Sequence, residues 1–257
     1  MYKIQPNTLF TGKIIKYLPT CHSTNDIAAE MIQSQEVFEG TIIVTDHQTA
    51  GRGQRGNTWE AALKQNLTFS LILKPSFLRA SDQFQLNVAV SLGVHEFLSQ
   101  YLSEGLSIKW SNDIYHYDKK LGGILIENTL QGYQIGYSVI GIGLNINQTQ
   151  FAVPTASSLK VASNSLQPYN LDLLLSGLSE KIEKYYLLLK QGYYESLKMR
   201  YLSVMYRYQE WHYFKKNGEL FLGQIIGIDQ TGKLAIETEE EDLLYFNFKE
   251  VEFVINP

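Results

Sequence analysis

The chain has 257 residues, with 22 Lys plus Arg against 26 Asp plus Glu, a formal net charge of −4. That mild acidity argues against general nucleic-acid binding, which rests on phosphate neutralisation by Lys and Arg. The single cysteine, Cys21, excludes an internal disulfide framework and a cysteine-rich zinc site, and no apolar run reaches the roughly eighteen residues of a membrane span.

Local pattern predicts mixed helix and strand. Residues 13–18 form a short strand that stops at Pro19. Ser23 caps a helix running to Ile32, because a hydroxyl there takes up the orphan N–H groups of a first turn. Residues 40–46 are a β-branched strand, and 49–57 a glycine-rich loop. Residues 66–73 are a second apolar strand, stopped by Lys74 and Pro75. Residues 83–102 carry apolar side chains at helical spacing and predict a long buried helix. Strand patterns follow at 107–110, 123–127 and 134–140. The stretch 148–168, rich in Ser, Thr, Ala and Asn, has no period and reads as a loop. Residues 171–200 are helical, with a break at Gln191 and Gly192. After Tyr208 the pattern changes to short strands at 220–228, 233–239, 243–248 and 251–255, with a turn at 229–232. The expectation is an α+β domain over 1–208, a mixed sheet with packed helices, followed by a small antiparallel barrel over 209–257.

Four segments carry residues suited to chemistry. Gly51, Arg52, Gly53, Gln54, Arg55 and Gly56 match the spacing G-x-G-x-x-G. A dinucleotide fingerprint also needs a following helix and an acidic residue about twenty positions on; here Trp59 leads into a strand, and the acidic position falls near Lys74. A mobile surface loop is the plain alternative. The glycines nonetheless allow backbone N–H groups close to a ligand, and two guanidinium groups suit carboxylate or phosphate. Lys109, Trp110, Ser111, Asn112 and Asp113 place a cation, an amide and a carboxylate at a strand end, which is otherwise a Ser-Asn-Asp turn. Lys120, Leu121, Gly122, Gly123 and Ile124 open an apolar strand with two glycines beside a lysine, a bulge or a carboxylate site. Gly141, Gly143 and Asn145 make a strand end that a flat ligand could approach.

In this order, with Ser23, Thr24 and Asn25 before them and Gln48 at the head of the loop, these motifs resemble those of biotin–protein ligases. The resemblance covers most of 21–147, and the C-terminal strands are similar to that family's SH3-like domain. It implies a class II aminoacyl-tRNA synthetase/biotin–lipoyl ligase-like fold. It implies two steps: biotin and ATP give biotinyl-5′-AMP, and a carrier lysine then takes the biotinyl group. By resemblance Lys120 contacts the biotin carboxylate and the phosphoryl oxygens, and Arg52 holds the phosphate. Ser23, Thr24, Asn25, Gln48, Gly51, Gly53, Gly122, Gly123 and Ile124 belong to biotin. Arg55, Trp59, Asn112, Gly143 and Asn145 belong to the nucleotide. Lys109 joins the catalytic cations, and Asp113 orients the carrier lysine and helps take its proton. Residues 155–159 resemble an adenine-side loop that moves until nucleotide binds. Mg2+ arrives with ATP, held by phosphate oxygens and water.

The partner implied is a biotin carboxyl carrier protein domain of a biotin-dependent carboxylase, and a homodimer is compatible with the resemblance. About twenty residues precede Ser23, too few for a helix-turn-helix, so no direct DNA binding is expected. The first residues lack a signal pattern, so a cytoplasmic protein is expected. None of His22, His47, His95, His116 and His212 falls in a zinc-ligand spacing, so no metal ligands are assigned. Gln54 and Ser111 stand where the family most often has Arg and Pro; the missing charge at Gln54 implies a looser hold on the adenylate. The rival readings are a lipoate or octanoate ligase of the same superfamily, which would lack the Gly-Arg-Gly loop, a non-catalytic binding module, and more remotely a nicotinamide or flavin oxidoreductase.

Overall fold

The computed structural model of the chain describes Tyr2, residues 4–35 and residues 37–254, apart from the side chain of Arg55. Seven strands form one sheet: β1 (Ile15–Cys21), β2 (Ile42–Gln48), β3 (Leu67–Leu73), β4 (Leu106–Lys109), β5 (Asp113–His116), β6 (Lys119–Gln131) and β7 (Gln134–Leu144). Their spatial order is β1-β2-β3-β7-β6-β5-β4. β1 and β2 are parallel and joined through helix α1 (Thr24–Gln33); every other pairing is antiparallel.

β3 is buried along its whole length, as a strand covered on both faces must be. The alternation of side chains divides its partners. Ile43 and Ile72 pack with Ala28, Ile27 and Met31 of α1 on one face. Ile42, Val44, Phe69 and Leu71 belong to the main core on the other. There the sheet is covered by α2 (Phe84–Leu98), which packs on α4 (Leu171–Lys190) and α5 (Tyr194–Ser203). No described helix is long and apolar enough to cross a membrane.

The last five strands, β8 (Trp211–Lys216), β9 (Glu219–Ile228), β10 (Leu234–Thr238), β11 (Leu243–Phe246) and β12 (Glu252–Phe253), form a small antiparallel sheet ordered β11-β10-β9-β8-β12. The rings of Phe214, Phe221, Phe246 and Phe253 meet inside it. The segment leading from α5 to the small sheet is paired on β4, and the turn between β9 and β10 docks on Trp110 just after it. Ile108 donates its N–H to Val204 O and accepts from the Tyr206 N–H, both at 2.9 Å. The Trp110 indole N–H donates to Gly232 O at 2.9 Å.

Several expectations need correction. β1 continues through Pro19, because this strand is the sheet's edge and a missing N–H there breaks no ladder bond. β5 and β8 were not expected as strands. The helix expected over 83–102 ends at Leu98, and the loop 148–168 contains a short helix, α3 (Leu159–Ala162), capped by Ser158. The expected break at Gln191 and Gly192 separates α4 from α5. The strand expected over 251–255 is described only as β12; Ile255 lies outside the described residues.

Glu96 on α2 gathers α4 and α5 around one carboxylate. It accepts from Lys181 (2.9 Å), Lys184 (2.8 Å), Tyr185 Oη (2.6 Å) and Arg200 (3.0 Å). Burial works to raise its pKa, but the bonds from Lys184, Tyr185 and Lys181 outweigh that and bring it down to about 2. A depressed carboxyl contributes stability above its ordinary range that is lost as the pH falls. Glu96→Gln is therefore expected to lose about 2 kcal/mol at pH 7. The gap from the parent protein should narrow below pH 4.5 and close near 2; urea unfolding across that range measures it, and a gap independent of pH would contradict the assignment.

Candidate active site

The sheet register builds the floor of the site. Thr68 on β3 pairs with Gly143 on β7, Gly143 with Gly123 on β6, and Gly123 with Asp113 on β5. This row across four strands has no side chain at its two middle positions. The space is taken from above: a Cβ on Gly143 would lie 2.3 Å from the Trp59 indole, and one on Gly141 would lie 2.4 Å from Asn25 Oδ1. Between the floor, the start of α1 and the glycine-rich loop lies a cavity of about 90 Å3, the more enclosed of two adjoining spaces. A second, open cleft of about 610 Å3 shares Thr58, Trp59 and Lys120 with it and extends past Asn145 and Ala156. Lys120 thus stands where the two meet.

At the start of α1 the wall is made of uncharged polar groups, with an ion-pair cluster behind them. Thr24 gives Gln48 Oε1 its backbone N–H at 2.7 Å and its hydroxyl at 3.1 Å. The Ser70 hydroxyl, fully buried in β3, lies 2.7 Å from Thr24 Oγ1 and 2.6 Å from Asn25 Oδ1. Asn25 Nδ2 donates to Glu127 Oε2 at 2.7 Å. Glu127 in turn takes a forked pair of bonds from Arg52 at 2.9 and 2.8 Å, and Asp26 meets the same guanidinium at 2.6 Å. This geometry is the strong bidentate form of an arginine–carboxylate contact.

The open end is cationic but compensated. Lys120 Nζ lies 2.8 Å from Asp113 Oδ1. Its backbone donates to Thr155 O and accepts from the Ser157 N–H, and Asn145 Nδ2 donates to Ser157 O at 3.0 Å. Residues 155–157, expected as a moving loop, are clipped to the lysine's own strand here. Asn112, at the turn before β5, is fixed by Ser111 Oγ at 2.9 Å and by its bond to Ile124 O. Among the described residues no three His, Cys, Asp or Glu side chains gather as metal ligands.

Of the residues singled out from the sequence, Ser23, Thr24, Asn25, Gln48, Arg52, Gly53, Trp59, Asn112, Asp113, Lys120, Gly123, Ile124 and Gly143 line the enclosed cavity. Asn145 lines the open cleft. Ser23 occupies the N-cap position of α1, but among the described residues its side chain makes no capping bond; the expected capping role is not taken, and the side chain faces the cavity it lines. Gly51 and Gly122 support the walls from behind, against Trp59 O and Gly143 O. Lys109 lines neither space. Its ammonium sits over the rings of Tyr115 and Phe253, each 4.8 Å away, where burial pushes its pKa down. The Arg55 side chain lies outside what is described. Sequence reasoning missed Asp26, Ser70, Glu127 and Phe248. Ser70 and Glu127 had a signal, since a polar group inside an apolar strand must find a partner.

Residues 17–145 match the Biotin/lipoate A/B protein ligase family. The chain is similar to the bifunctional ligase/repressor BirA of Bacillus subtilis, 30% identical over 235 residues that cover 89% of this chain and 71% of that one. It is 26% identical to the biotin–protein ligase of Homo sapiens over 254 residues, covering 93% of this chain and 34% of that one. The solved biotin protein ligase from Aquifex aeolicus in complex with biotin and ATP overlays with a TM-score of 0.76 at 26% identity, covering 94% of this chain and all of that one (100%).

The Asp26–Arg52–Glu127 cluster ties the glycine-rich loop to α1 and β6. Glu127→Ala is expected to speed trypsin cleavage after Arg52 about threefold, the effect of a partly exposed ion pair worth under about 1 kcal/mol. An unchanged cleavage rate would mean that the pair does not hold the loop.

Proposed function

The chain belongs to the biotin/lipoate A/B protein ligase family, and on that premise we propose that it is an ATP-dependent biotin–protein ligase. It forms biotinyl-5′-AMP from biotin and ATP with release of pyrophosphate, then transfers the biotinyl group to a lysine of a biotin carboxyl carrier protein domain. The observation that carries this reading is the junction at Lys120 of a polar cavity, uncharged at its α1 end, with a larger and more open cleft. A ureido head needs hydroxyl and amide partners, and Ser23, Thr24 and Gln48 supply them. A carboxylate and a triphosphate repel each other, so a cation fixed between them lowers the cost of bringing them together.

In the first step a biotin carboxylate oxygen attacks the α-phosphorus, and pyrophosphate leaves with the bonding electron pair. Lys120 balances the charge on the phosphoryl oxygens, and Mg2+ enters with the nucleotide as part of the substrate. Arg52, Arg55 and Trp59 close the loop over the product, with Asn112, Gly143 and Asn145 on the nucleotide side. As Lys120 takes up an anion, Asp113 loses its present partner. In the second step Asp113 accepts the proton of the carrier lysine, whose nitrogen attacks the acyl carbon while AMP departs. Lys109, opposite Asp113 in the β4–β5 pairing, acts on that carboxylate through its field.

A lipoate or octanoate ligase is the second reading. The enclosed cavity ends on Thr24 and Gln48 rather than in a long apolar tunnel, which favours biotin. Residues 1–208 are assigned as the catalytic domain and 209–257 as the small domain, a division supported by the change of sheet between α5 and β8. The proposed site of action is the cytoplasm, where the free thiol of Cys21 would stay reduced.

Incubation with ATP, biotin and a carrier domain is expected to add one biotinyl group to the carrier by intact mass. Addition from lipoate but not from biotin would overturn the assignment. Lys120→Ala should lower biotin-dependent pyrophosphate exchange about 10²–10³-fold. In single turnover, Asp113→Ala should still form adenylate but transfer it about 10²-fold more slowly or worse; normal transfer would remove Asp113 from the mechanism.

A further inference from the structure

Among the described residues two line both the cavity and a neighbouring cleft between the two sheets: Gln54 of the glycine-rich loop and Phe248. That cleft, of about 290 Å3, has Asn87, Asn128 and Lys233 on its walls and admits water. Phe248 belongs to the small domain, on the turn after β11. The turn is braced by Glu250, whose carboxylate accepts from the Asn247 N–H at 2.7 Å and from its Nδ2 at 3.0 Å. Lys249, the next residue, donates to Asn57 Oδ1 of the loop at 3.4 Å. The Phe248 ring packs 6.2 Å from that of Trp110, itself bonded to the small sheet. Among the described residues the Gln54 side-chain oxygen is buried with no hydrogen-bond partner, so that oxygen does not anchor its half of the wall. The half held in place from both sides is Phe248.

We propose that Phe248 is a positioning residue of the ligase site, an apolar stopper that keeps the water of the interdomain cleft from the mixed anhydride. The proposal rests on the ligase reading above. The reaction it suppresses is hydrolysis: a water oxygen attacks the acyl carbon, the bond from that carbon to the phosphate oxygen breaks, AMP leaves with the electron pair, and the water's proton passes to solvent. Biotin and AMP result, and ATP is consumed without transfer. Exclusion of water from a reactive intermediate is a recognised task of a closed site; here it falls to a residue more than a hundred positions beyond the loop that covers the same cavity.

The test uses the full chain with ATP and biotin and no carrier, following AMP formation relative to biotin-dependent pyrophosphate exchange. Phe248→Ala is expected to raise that ratio about tenfold, and Phe248→Leu, which refills the space with apolar atoms, to return it towards the parent value. Glu250→Ala, which loosens the turn from outside the cavity, should raise the ratio in the same direction and decides the matter if Phe248→Ala does not fold. An unchanged ratio in the folded alanine variants overturns the stopper while leaving the ligase reading intact. Absence of biotin-dependent exchange in the unsubstituted protein overturns the ligase reading, and the stopper with it.

Discussion

Gly143 on β7 pairs with Gly123 on β6, so two glycines meet side by side near the middle of a seven-stranded sheet. Everything above that point depends on this register. A slip of one residue would turn the glycines to the far face and raise Leu144 or Ile142 into the cavity. The floor is therefore set by strand pairing over the length of β6 and β7, and the apolar residues of those strands, buried against α2 and α4, hold the pairing in place. The core and the site are specified by the same alternation.

Charge at the site is local and already balanced. Lys120 is paired with Asp113, and Arg52 with Asp26 and Glu127. Among the described residues, an anion approaching Lys120 or Arg52 does not meet a bare cation; it exchanges with carboxylates that belong to the protein. Such exchange reduces the gain from each new ion pair, because the displaced carboxylate must be solvated or find another partner. On the proposed mechanism it would also give the arrangement an order, because the carboxylate released from Lys120 is the one assigned to the second step. A net charge of −4 is consistent with this picture, since the carboxylates that balance the site cations contribute to it.

Much of the fold was legible because its signals are local. Apolar runs marked β2 and β3, and Gly192 marked the break between α4 and α5. Pro19 misled because a proline is a stop only where its N–H is wanted, and an edge strand does not want it. β8, with Lys215 and Lys216 in its pattern, lacks a clean apolar alternation and becomes a strand only by pairing with β9. At the site, the motif residues carried their own evidence in glycine, lysine and arginine at close spacing. Lys109 fits the same pattern, yet it points into a cage of rings contributed partly by Phe253, far along the chain. Phe248 had no sequence signal at all: a phenylalanine on a turn looks like any other, and only the docking of the small sheet brings it to the wall.

The Ser70 hydroxyl carries one hydrogen, yet Thr24 Oγ1 and Asn25 Oδ1 both lie within reach of it. It can serve only one at a time. When the hydrogen points to Asn25, the Thr24 oxygen has a lone pair open to an N–H; when it points to Thr24, that lone pair is occupied. The Asn25 arrangement is the favoured one: Asn25 Oδ1 lies 2.6 Å from the serine oxygen, two oxygens so close repel without a hydrogen between them, and the amide is held from turning by its bond to Glu127. The buried serine thus sets the polarity of the wall: its one hydrogen is committed to Asn25, and Thr24 keeps a lone pair to offer.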